Sequence, residues 1–109
     1  MTRVELLWWD GCPSHPEALA DLREAMDELG LNPASVEVRE VADDEDAARE
    51  RFIGSPTIRV DGRDVVPPPE DEAYGLSCRV YTLRDGRVSP VPDPQDLRDV
   101  LRRNLEHSA

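Results

Sequence analysis

Trp8-Trp9-Asp10-Gly11-Cys12-Pro13-Ser14-His15 joins an apolar run to the start of an amphipathic segment. The run Val4 to Trp9 contains one polar residue, Glu5. That pattern predicts a strand buried on both faces, with Val4, Leu6 and Trp8 on one side and Leu7 and Trp9 on the other. Gly11 turns the chain, and Cys12 follows just before a predicted helix. A thiol at such a junction lies near the free N–H groups and positive dipole end of the helix, which favour the thiolate.

The helix is read from Leu19, Leu22, Met26 and Leu29, widened by Ala18 and Ala25, with Gly30 at its C′ position. Ser14 and Glu17 fit the S-x-x-E capping box, and Pro16 falls in the first turn. Val36 to Val41 predicts an alternating edge strand. Asp43 is the expected cap of a short helix through Phe52, with Asp46 at N3, Ala47 and Ala48 inward and Gly54 closing it. Ser55-Pro56-Thr57 leads into a third strand, Ile58 to Val60, and Asp61-Gly62 signals a hairpin. Val65-Val66 is a candidate return strand, and Pro67-Pro68-Pro69 with Glu70-Asp71-Glu72 reads as a stiff, exposed loop. Arg79 to Leu83 predicts another strand and Asp85-Gly86 another turn. Asp93-Pro94 starts the last helix, with Leu97, Val100, Leu101 and Leu105 on its apolar stripe. The order β-α-β-α-β-β-α over residues 1–109 predicts one α/β domain. It has a four-stranded mixed sheet and an inserted loop or hairpin before the last helix.

The chain has 109 residues and a net charge of −11. That charge argues against nucleic-acid or anionic-membrane partners, which need a basic patch. All 13 basic residues are arginine, so Schiff-base lysine chemistry is excluded. The longest apolar run is too short to span a bilayer, and no signal-peptide pattern opens the chain. The expectation is a cytoplasmic protein whose two cysteines rest as thiols.

The cysteine corner after the first strand and the Ser55-Pro56-Thr57 turn before the third resemble the thioredoxin-like fold. The chain is similar to small bacterial thioredoxin- and glutaredoxin-like proteins, some grouped with alkylmercury lyases. The resemblance implies a three-layer fold, a cis bond before Pro56 and a nucleophile at Cys12. It also implies a substrate groove shaped by Trp9, Pro13, Ser55, Pro56 and Thr57. Its partner would be a protein or a small thiol. No cofactor or resident metal is implied. His15 stands where the family places its second cysteine, so this corner cannot close its own disulfide. What remains for Cys12 is mixed-disulfide, sulfenic-acid or soft-metal chemistry.

Each candidate has a plainer reading. Cys12 is also a small apolar residue fit to close a strand end. His15 reads as an exposed first-turn residue, or as a cation or proton donor beside the thiol. A zinc site would need Cys78 and His107, and His107 falls in the terminal tail. Trp9 reads as packing, and Asp10 and Glu17 as solvated charges. Cys78 has two placements. If Arg79 to Leu83 pairs with Ile58 to Val60, Cys78 lies roughly 16 Å from Cys12, beyond disulfide reach. If Val65-Val66 is the return strand, the loop comes back to Cys12 and Cys78 becomes a resolving thiol or second metal ligand. A non-catalytic module holding Hg, Cu or Zn, or a partner protein, is the alternative function. Ser14, Glu17 and Pro16 set the helix start past Cys12. With Asp10 and Glu17 nearby, the expected thiol is less acidic than a typical nucleophile of this family.

Overall fold

The structure, a computed structural model, describes residues 2–68 and 72–108. Its frame is a four-stranded mixed sheet in the order β2-β1-β3-β4. These strands are β1 Val4–Trp8, β2 Glu37–Glu40, β3 Thr57–Val60 and β4 Arg63–Asp64. The central strand β1 pairs parallel to β2 and antiparallel to β3. The helices are α1 His15–Glu28, α2 Asp44–Glu50 and α3 Pro94–Ser108. A separate two-stranded hairpin, β5 Tyr81–Thr82 with β6 Val88–Ser89, precedes α3. No helix among the described residues is long and apolar enough to cross a membrane.

The alternation in β1 sorts its side chains into two cores. Val4 and Leu6 join Ala18, Leu22, Met26, Ile58, Leu97 and Leu101, with Trp8 packed against them. Leu7 joins Val41, Ala47 and Phe52 on the other face, with Trp9 against that cluster. Glu5, the one polar residue of the strand, is buried and paired with Arg39. Burying these apolar faces is worth about 25 cal/mol per Å² removed from water, which makes β1 the spine of the domain.

The helix boundaries follow local chemistry at three of five predicted signals. Gly30 accepts the left-handed C′ position of α1. Its N–H bonds to Asp27, and the Leu31 N–H reaches back to Met26, which is the double closure of a Schellman end. Asp43 caps α2 through the Asp46 N–H at 2.8 Å. Asp93 caps α3 through the Gln95 N–H at 2.9 Å, with Pro94 first in the helix. Ser14 departs from expectation. It adopts helical backbone angles rather than the extended ones a cap requires, and its hydroxyl makes no cap bond. The capping box with Glu17 is therefore not formed. The expected end of α2 at Gly54 is also corrected, because Arg51 in the left-handed conformation closes the helix. Ala47 is buried in it, but Ala48 faces solvent.

The second half differs most. Asp61 and Gly62, both with positive φ, form a two-residue hairpin that sets Val60 opposite Arg63. The return strand is thus Arg63–Asp64, one step before the expected Val65-Val66. Arg79 to Leu83 is not a strand of the main sheet. Only Tyr81 and Thr82 pair, and they pair with β6. Of the expected exposed proline and acidic loop, Pro69, Glu70 and Asp71 lie outside the described residues, while Pro67 and Glu72 are exposed.

Candidate functional site: the Cys12–Cys78 corner

The site forms where the C-terminal end of β1 meets the N-terminal end of β3, because these strands run antiparallel. After β1 the chain folds back sharply, with the Cys12 N–H donating to the Trp9 carbonyl at 3.1 Å. Gly11 leaves room in this turn for the Trp9 ring. A Cβ there would stand 2.4 Å from the Trp9 ring. Trp9 is half-buried, and its N–H donates to the Ser55 hydroxyl at 3.0 Å. Two corners distant in sequence are thereby latched. Pro13 is exposed on the turn.

The Ser55–Pro56 bond is cis, as the resemblance implied. Ser55 and Thr57 are 0% and 1% exposed, and Pro56 is fully buried with them. The Thr57 hydroxyl donates to the Gly54 carbonyl at 2.6 Å, and the Tyr81 hydroxyl donates to the Pro56 carbonyl. These three residues act as internal supports of the corner. The backbone groups of Ser55 are also engaged by the chain itself. Its N–H donates to Ser77 at 2.8 Å, and its carbonyl accepts from the Arg79 N–H at 2.9 Å. Residues 77–79 thus lie parallel to Ser55 as a one-residue bridge. Gly54 permits that approach, since a Cβ there would meet the Arg79 side chain at 2.6 Å and its backbone nitrogen at 3.2 Å.

This bridge decides the placement of Cys78. Cys12 and Cys78 are joined in a disulfide with a Cα–Cα distance of 5.6 Å, within the usual range for such a bond. The expectation of two resting thiols is corrected, and so is the alternative that put the cysteines far apart. The loop after β4 returns to the corner, as the second placement required. Cys12 is buried at 3% exposure, whereas Cys78 is exposed.

His15 is partly buried rather than freely exposed. Its ring stacks on Trp8 at 4.1 Å, with 15° between planes. Its Nδ1 and the Ser14 hydroxyl are buried without hydrogen-bond partners among the described residues. Asp10 and Glu17 face solvent, as expected. His107 belongs to α3 rather than to a free tail, and its side chain lies outside the description. Among the described residues no cluster of three or more His, Cys, Asp or Glu side chains is arranged to hold a metal ion.

Sequence reading missed Arg79. Its guanidinium pairs with Asp64 at 2.6 Å, donates to the Val66 carbonyl at 2.8 Å and lies 4.6 Å from the centre of the Tyr81 ring. Its side chain is 9% exposed, an uncommon burial for arginine. Burial pushes the Asp64 carboxyl up from its ordinary range, while Arg79 pulls the other way. Burial likewise holds the Tyr81 phenol protonated well above its usual value. The network fixes the segment that carries Cys78 to both β4 and the Pro56 loop. No spacing rule announces it, since Asp64 and Arg79 are joined only by the path of the intervening loop. No protein-family model, curated protein or solved structure matches this chain.

Proposed function

We propose that this is a thioredoxin-like thiol–disulfide protein whose working couple is Cys12 and Cys78. The observation that carries the reading is the disulfide between a strand-end cysteine and a partner held against the residue before cis-Pro56. The Cys-x-x-His corner gains its second sulfur from residues beyond β4 rather than from its own helix. In the oxidising direction the protein takes two electrons and two protons from an external dithiol, or from two thiols, and ends as the Cys12/Cys78 dithiol. The external sulfurs leave as a disulfide. The compartment is proposed to be cytoplasmic, where such a bond would be transient rather than a permanent staple. The Ser14 hydroxyl and His15 Nδ1, buried without hydrogen-bond partners among the described residues, follow Cys12 by two and three positions.

The test is a redox titration under native conditions in glutathione or dithiothreitol buffers, read by intact mass and peptide mapping. A reversible two-proton mass change mapped to Cys12 and Cys78 is expected, and it should vanish in Cys12→Ser and in Cys78→Ser. A disulfide that resists thiol reductants until the protein unfolds would reduce it to a structural crosslink. Stoichiometric capture of Zn²⁺ or Hg²⁺ by the dithiol, with no turnover of disulfides, would instead favour the soft-metal module.

A further inference from the structure

We infer that the sulfur first attacked by an incoming thiol is Cys78, and that Cys12 is the buried leaving and resolving sulfur. The inference rests on the redox reading above and inverts the roles that the cysteine corner suggested. Disulfide exchange is an in-line displacement in which the attacking thiolate approaches opposite the departing sulfur. In the oxidised protein Cys12 is 3% exposed, whereas Cys78 is exposed. Expelling Cys78 requires attack on the sulfur of Cys12, a buried residue. Expelling Cys12 requires attack on Cys78, an exposed residue. Cys78 also opens on a surface groove of about 510 Å³ whose lining includes Ile53, Val66, Ser77, Arg79 and Tyr81. This groove gives the incoming group a surface to rest on.

An external thiolate bonds to the Cys78 sulfur, the Cys12–Cys78 bond breaks, and its electron pair leaves on Cys12 as a thiolate. A second external thiol then attacks the external sulfur of the mixed disulfide and releases Cys78, completing reduction. In the reverse direction Cys78 accepts the external sulfur, and the Cys12 thiolate displaces it.

The experiment compares the two single-cysteine variants. Reduced Cys12→Ser and reduced Cys78→Ser are each mixed with glutathione disulfide, and adduct formation is followed by mass spectrometry. The expected result is glutathionylation of Cys12→Ser, through Cys78, at least about tenfold faster than of Cys78→Ser. Equal rates, or a faster Cys78→Ser, overturn the assignment. Because either variant could fold poorly, pulsed iodoacetamide labelling of the reduced wild-type protein provides a second reading. Cys78 should be alkylated first, and earlier labelling of Cys12 refutes the assignment. Failure of the underlying redox reading looks different. There the native wild-type disulfide is not opened by glutathione or dithiothreitol at all, whichever variant reacts faster.

Discussion

Opening the Cys12–Cys78 bond by reduction perturbs the unfolded chain far more than the folded one. The two cysteines are 66 residues apart in sequence. In the chain-entropy description, crosslinking a loop of that length stabilises the native state by ~4 kcal/mol at 25 °C, because it removes freedom from the unfolded ensemble. The folded side should change little. Residues 77–79 stay tied to Ser55 through two backbone hydrogen bonds, and Arg79 stays tied to Asp64 and Val66. The assay is urea unfolding of oxidised and reduced protein in matched buffers, followed by the fluorescence of Trp8 and Trp9. With a denaturant slope near the middle of the usual range, the midpoint should fall by roughly 2 M urea. A fall below about 0.5 M would refute the entropic argument, since the crosslink would then not restrict the unfolded chain. A much larger fall, with altered tryptophan emission before unfolding, would refute the claim that the hydrogen bonds alone keep the segment docked.

Two further outcomes follow from the charged groups. Arg79→Ala leaves the Asp64 carboxylate buried without its counter-charge and should cost about 3–5 kcal/mol near neutral pH. Burial already raises the folded-state pKa of Asp64, and removing Arg79 raises it further. Stability tied to a raised carboxyl is present below its unfolded pKa and lost as pH rises through the folded one, so the deficit should shrink from pH 7 toward pH 5. Urea midpoints at the two pH values check this, and a deficit independent of pH would clear Asp64 of responsibility. Asp93→Ala should cost about 1–2 kcal/mol through loss of the α3 cap. The Arg84 N–H, then the Gln95 N–H, hold the Asp93 carboxyl below its usual range. Its contribution is present above the ordinary aspartate pKa and lost as pH falls through the lowered value. Amide protection factors at the start of α3, corrected for the intrinsic exchange rate at each pH, should therefore fall in acid for the wild type, and an equal fall in the variant would contradict the assignment.

What the sequence disclosed was mostly local. The two-faced burial of β1, the Gly30 closure, the Asp43 and Asp93 caps and the Asp61-Gly62 turn each depend on residues a few positions apart. The Ser14/Glu17 box had the right letters but lacked the extended backbone at Ser14 that the letters presuppose. Val65-Val66 was the apolar candidate for the return strand, yet a two-residue hairpin fixes the register and makes the charged Arg63–Asp64 that strand. The disulfide was visible only as one of two options, because the position of Cys78 depends on where the loop after β4 goes. That loop is steered by the Arg79–Asp64 pair and by the space Gly54 leaves open, neither of which has a periodic or spacing signature. Average behaviour places arginine at the surface, so a buried arginine that docks a loop is poorly legible in advance.

The Arg79 anchor also has a kinetic meaning. Its N–H holds the residue next to Cys78 against Ser55, and its guanidinium is fastened to a different strand. Once the bond to Cys12 opens, the Cys78 sulfur remains tethered at a high effective concentration beside its partner. Ring closure should therefore outrun capture by dilute thiols, so mixed disulfides on the wild-type chain should be short-lived and accumulate only when the second sulfur is removed. Loosening the anchor would lengthen their lifetime without altering either cysteine.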